Sequence, residues 1–122
     1  MADEITASAS LRYARSTHTA FYAVTGKQFD QTGTDYAEHT QTIGTTEEAL
    51  DLGDVGTPGY ILLVNLDPTN FVSVRAATGA ANAIRLDANG GFALFKLGSG
   101  ATAPFAIADT AACQIKYLLI EA

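Results

Sequence analysis

Apolar residues in this chain come in short bursts, and turn-forming residues interrupt them about every 8–12 positions. No stretch sustains an apolar period of 3.6 over the ten or so residues that a helix needs. Strict alternation appears instead. Ile5, Ala7, Ala9, Leu11 and Tyr13 fall on one face of an extended segment, with Thr6, Ser8, Ser10 and Arg12 on the other. Because side chains of a strand point to opposite faces in turn, this is the pattern of a half-buried strand.

The rest of the chain reads the same way. Phe21–Val24 is β-prone and is closed by Thr25-Gly26, and the polar residues from Gln28 to Asp35 read as a turn-rich connection. Tyr36–Ile43 holds no breaker and reads as an edge strand. Thr45 and Glu48 have the spacing of a helix capping box, but Gly53 and Gly56 follow too soon for a helix. Leu50 and Leu52 alternate about Asp51, which favours a short strand. Tyr60–Val64, the most apolar run, reads as a central strand buried on both faces. Asn65–Asn70, with Asp67-Pro68, reads as a hairpin connection, and Phe71–Arg75 as its return strand. Ala83–Leu86, Phe92–Leu97, Pro104–Ala108 and Cys113–Glu121 complete the set, with an Asn89-Gly90 turn among them. The expected fold is all-β, a jelly-roll-like antiparallel β-sandwich of about 8–9 short strands, with an immunoglobulin-like sandwich as the alternative. Residues 1–122 are expected to form a single domain.

Several function classes are disfavoured. Thirteen acids against seven bases give a net charge of −6, the wrong sign for nucleic acid or an anionic membrane surface. The acidic start carries no apolar leader, and no apolar run is long enough to span a bilayer, so an unprocessed product of the cytoplasm is expected. Cys113, the only cysteine, lies in an apolar run and reads as a packing residue. His18 and His39 have no partner at metal-ligand spacing. The acids Glu47, Glu48, Asp51 and Asp54 lack the EF-hand pattern and read as a solvated turn. No phosphate loop or nucleophile elbow is present. The expectation is therefore no enzyme, no catalytic residue, no cofactor and no metal.

The aromatic residues divide. Phe71, Phe92, Phe95 and Tyr117 sit inside strand patterns and are expected in the core. Tyr13, Tyr22 and Tyr36 lie in polar surroundings and suit an interface, where a ring offers area and a polar tip. With the N-terminal alternation and the acidic turn, the candidate interface residues are Ile5, Leu11, Tyr13, Tyr22, Tyr36, Glu47 and Glu48.

Five segments also carry a resemblance. The opening Met1-Ala2-Asp3-Glu4-Ile5-Thr6, the run Ile43–Leu50, the pair Asn65-Leu66-Asp67 and Asn70-Phe71-Val72, and the ending Tyr117–Glu121 resemble small virion proteins of tailed bacteriophages. The resemblance implies a structural part of the particle, one that decorates or cements the head by binding major capsid protein or other virion proteins. A head-fibre or tail accessory protein that binds host-surface glycans is the alternative. It implies location in the virion and a homo-oligomer, dimer or trimer. Residues 1–14 are then expected to act as an exchanged or lattice-contacting strand that adds to a neighbour's sheet edge.

Overall fold

The computed structural model describes residues 3–122. Among them run ten strands: β1 Ile5–Arg15, β2 His18–Phe29, β3 Tyr36–Ile43, β4 Glu48–Ala49, β5 Pro58–Asn65, β6 Val72–Arg75, β7 Ile84–Leu86, β8 Phe92–Lys96, β9 Phe105–Ala108 and β10 Cys113–Glu121. The chain divides into two compact units, Met1–Thr32 and Gly33–Ala122.

The first unit is one antiparallel hairpin, β1 against β2. Ser16 and Thr17 form its two-residue turn between the paired Arg15 and His18, with Ser16 at φ 54. The register pairs Leu11 with Tyr22, Tyr13 with Ala20, and Ala9 with Val24. It then shifts between Ala7 and Ala9, so that Thr25 and Gly26 together face Ser8. Gly26 sits at φ 62 and donates its N–H to Ser8 Oγ at 2.7 Å. Such a bulge inserts one residue and reverses which parity of the strand faces which side. Gln28 and Phe29, expected in a connection, therefore continue β2, and Phe29 opposite Ile5 shares the face of Tyr22. Thr25-Gly26 bends the strand without ending it.

The second unit is an antiparallel β-sandwich of two four-stranded sheets, ordered β3-β10-β5-β8 and β4-β9-β6-β7. Pairing is nested: β3 with β10, β4 with β9, β5 with β8, and β6 with β7. The chain from β3 to β10 is thus one long hairpin doubled about the β6–β7 connection. Two further pairings, β10 with β5 and β9 with β6, join its turns into sheets. The inner faces meet in one core that includes Ile43, Ile61, Leu63, Val72, Leu86, Ile115, Tyr117 and Leu119, all essentially without solvent contact.

Asn65 is buried with them. Its side-chain amide donates to the carbonyls of Asn70, Leu86 and Asp87 at 2.9, 3.1 and 3.3 Å, and its Oδ1 accepts the N–H of Asp67 at 2.9 Å. Asp67 Oδ2 in turn accepts the N–H groups of Thr69 and Asn70. A buried amide must find such partners or cost the fold its desolvation. Here it fixes two connections at one end of the sandwich.

Three expectations are corrected. Tyr60–Val64 is not buried on both faces: Ile61 and Leu63 enter the core, while Leu62 faces outward and is 38% exposed. Phe71–Arg75 is not the return strand of β5. β6 crosses to the other sheet, where it pairs with β7 and β9. Phe92 and Phe71 are not core residues: Phe92 shares the outward parity of β8 and is 62% exposed, and Phe71 lies outside the core beneath Arg85. Cys113 and Tyr117 are buried as expected.

Candidate functional site: two apolar faces

Two faces of the molecule carry apolar side chains where solvated strands ordinarily carry polar ones. The first belongs to the hairpin. Ile5, Leu11, Tyr13 and Tyr22 all lie on one face of it, together with Ala7, Ala9, Ala20 and Val24. Ile5 is buried, but Leu11, Tyr13 and Tyr22 are 79, 52 and 75% exposed. Leu11, Tyr13, Ala20, Phe21 and Tyr22 line a shallow apolar concavity of about 170 Å³. The opposite face carries Thr6, Ser10, Arg12, Thr19 and Gln28, with Phe21 across from Arg12.

The second is the outer face of the β3-β10-β5-β8 sheet. Leu118, Leu62 and Leu94 form a row across three strands, with Glu38 on β3 ending it. Beside it run Lys116, Val64 and Phe92, and on the other flank Tyr60 pairs with Lys96. Lys96 Nζ stands 5.5 Å from the Tyr60 ring centroid, a cation–π distance. Tyr36, across from Ile120, is 68% exposed. The outer face of the other sheet differs. Arg85 covers the Phe71 ring at 3.7 Å, and Arg75 is held by Glu47.

Of the acidic residues singled out by sequence, Glu47, Glu48 and Asp51 are engaged inside their own unit. Glu47 accepts from Arg75 at 2.7 Å, the Thr78 hydroxyl at 2.5 Å and the Gly79 N–H at 2.8 Å. The Thr78 hydroxyl, the Gly79 amide and Arg75 together lower its pKa from 4.5 to about 2. Glu48 accepts from the Gln41 side chain and the Gly44 N–H, and Asp51 Oδ1 accepts the Gly53 N–H. Among the described residues, no three of His, Cys, Asp and Glu gather closely enough to hold a metal ion.

Sequence reasoning missed two polar centres. The Glu121 carboxylate accepts the N–H groups of Thr34, Asp35 and Gly56, which hold its pKa below the ordinary value. The Tyr117 phenol lies within 2.8 Å of Gln41 Oε1 and 2.7 Å of the Asp51 carbonyl. Burial pushes its pKa up to about 12. His39 meets the Tyr117 ring edge-on at 5.8 Å, and its Nε2, shut from solvent, has no hydrogen-bond partner among the described residues. These groups tie strands and turns together. The chain matches no protein-family model, no curated protein and no solved structure.

Proposed function

We propose that this chain is a non-enzymatic structural protein of a bacteriophage virion, one that decorates or cements the capsid by binding major capsid protein. The observation that carries the reading is the leucine row Leu118–Leu62–Leu94 on the outer sheet face, flanked by Phe92, Val64 and Tyr36. An apolar strip across a sheet that already has a core on its other side is a docking surface in search of a cover. Isolated surface leucines need no explanation; a row of them in register does.

The nested pairing supports a jelly roll over an immunoglobulin-like sandwich. Counting from β3, the first strand pairs with the eighth, the second with the seventh, the third with the sixth and the fourth with the fifth. That wiring favours the doubled hairpin of a jelly roll, an architecture found among capsid and lectin domains. It agrees with what the resemblance to phage virion proteins implies.

Gradient-purified virions should contain this chain at a copy number comparable to the capsid protein, read by gel densitometry. Phe92→Glu and Tyr36→Glu should cut incorporation at least tenfold while the far-ultraviolet spectrum and unfolding midpoint stay unchanged. Absence from particles, or full incorporation of both variants, would refute the capsid-docking reading. A few copies per particle together with glycan binding would replace it with the fibre reading.

A further inference from the structure

The hairpin presents a separate problem. It has one apolar face and two long edges, and among the described residues no other strand pairs with either edge. A two-stranded sheet on its own is marginal in water. We propose that three copies of this chain close their hairpins into a six-stranded barrel, β1 of one copy beside β2 of the next, with the Leu11–Tyr22 face inside.

The hairpin's own geometry selects the partner, and three is the smallest number of copies that closes around this face. Edge pairing of β1 with a neighbour's β2 is head-to-tail, and such contacts end only when they close a ring. Two copies give four strands, too few to enclose rings as large as Tyr13 and Tyr22. Three copies give six strands and leave no edge unpaired, which is how barrels remove the edge problem.

The face is graded for such an interior. Above the bulge its rows pair Ala9 with Val24, Leu11 with Tyr22, and Tyr13 with Ala20, so that large side chains meet small ones. Small barrels fill their interiors by this alternation. Arg15 and His18 sit at the turn end, where the barrel opens to water. Lys27, the one cation further down this face, lies beyond the bulge at Thr25-Gly26, which marks the end of the closed part. The outward face keeps Ser10, Arg12 and Thr19 in solvent, together with Phe21 across from Arg12.

The area is sufficient. At about 200 Å² for an aromatic side chain and somewhat less for leucine, Leu11, Tyr13 and Tyr22 offer roughly 400 Å² per copy. Burial of Ala9, Ala20, Val24 and two main-chain edges raises this toward the ~800 Å² per partner of a stable interface.

Light scattering of the purified full-length chain at micromolar concentration should give three times the 12.7 kDa chain mass. Leu11→Asp and Tyr22→Asp should return it to a monomer with an unchanged sandwich unfolding midpoint. Ser10→Asp, on the outward face, should leave the trimer intact. Amide exchange should show both strands protected in the wild type and released in the two monomeric variants. A monomeric or dimeric wild type, or a trimer indifferent to Leu11→Asp and Tyr22→Asp, would overturn the proposal. This proposal does not rest on capsid binding. A trimer absent from virions overturns only the capsid reading, and an incorporated monomer overturns only the barrel.

Discussion

Strands β1 and β10 are written in the same pattern and meet opposite fates. In β10, Cys113, Ile115, Tyr117 and Leu119 alternate with Gln114, Lys116 and Leu118, and the first set is almost wholly buried. In β1, Ile5, Ala7, Ala9, Leu11 and Tyr13 alternate just as cleanly, yet Leu11 is 79% exposed. Alternation specifies which side of a strand is apolar, and says nothing about what covers that side. β10 lies between β3 and β5, with a second sheet over its inner face. Among the described residues, β1 has only β2 beside it.

The sharpest test of that difference removes equivalent leucines. Leu119→Ala should cost about 3 kcal/mol, because a fully buried leucine leaves a cavity behind. Leu11→Ala in the dilute chain should change stability by less than about 0.5 kcal/mol, as exposed substitutions do. Chemical denaturation of the two variants checks the pair. Equal losses would mean that Leu11 is covered within a single chain, and the contrast would fail.

Next in size is the polar anchor of the sandwich, which has no counterpart in the hairpin. Asn65→Ala should cost about 2 kcal/mol by taking the amide donor away from the carbonyls of Asn70 and Leu86. Loss of amide-exchange protection should concentrate at the Asn65–Asn70 and Asp87–Gly91 connections. A neutral substitution would show that water replaces the amide at that end of the sandwich.

Much of the sandwich is legible in the sequence for this reason: its turns carry their own chemistry. Asn89 and Gly90 take φ of 63 and 101, the left-handed region those residues tolerate best, and the turn is readable from the pair alone. Sheet membership is not so readable. β5 and β6 look like a hairpin because a turn joins them, but whether a chain folds back or crosses to the opposite sheet is settled by long-range packing. The hairpin tip hides for the opposite reason: Ser16-Thr17 carries no turn signal. Gly26, read as a stop, hides the bulge that reverses parity and brings Phe29 onto the face of Tyr22. The leucine row escapes notice as well, since Leu62, Leu94 and Leu118 come from three separated strands and meet only through register.

Acid acts on the sandwich through carboxylates that accept hydrogen bonds. Glu47, at about 2, and Glu121 and Asp67, also lowered, have folded pKa values below their ordinary ones. Such groups contribute stability that is fully present above the unfolded value and disappears as pH falls through the folded one. The sandwich's urea midpoint should therefore hold above about pH 5 and fall from pH 4.5 toward 2. Glu47→Gln should flatten part of that slope by freeing the segment at Thr78 and Gly79 from pH control. An unchanged slope would mean that this carboxylate is equally stabilised in the unfolded chain.

The smallest effect is confined to the hairpin tip and runs in the stabilising direction. Ser16 holds φ 54, a conformation that costs a residue with a Cβ roughly 1 kcal/mol. Ser16→Gly removes that strain, but glycine gives back part of the gain through the greater freedom of the unfolded chain. The net should be about 0.5 kcal/mol in favour of the variant, or close to a twofold rise in amide protection for residues paired across the turn, such as Tyr13 and Ala20. The sandwich amides are expected not to respond. If protection rises equally in both units, they unfold as one body, and the contrast between β1 and β10 must be sought in a single cooperative fold.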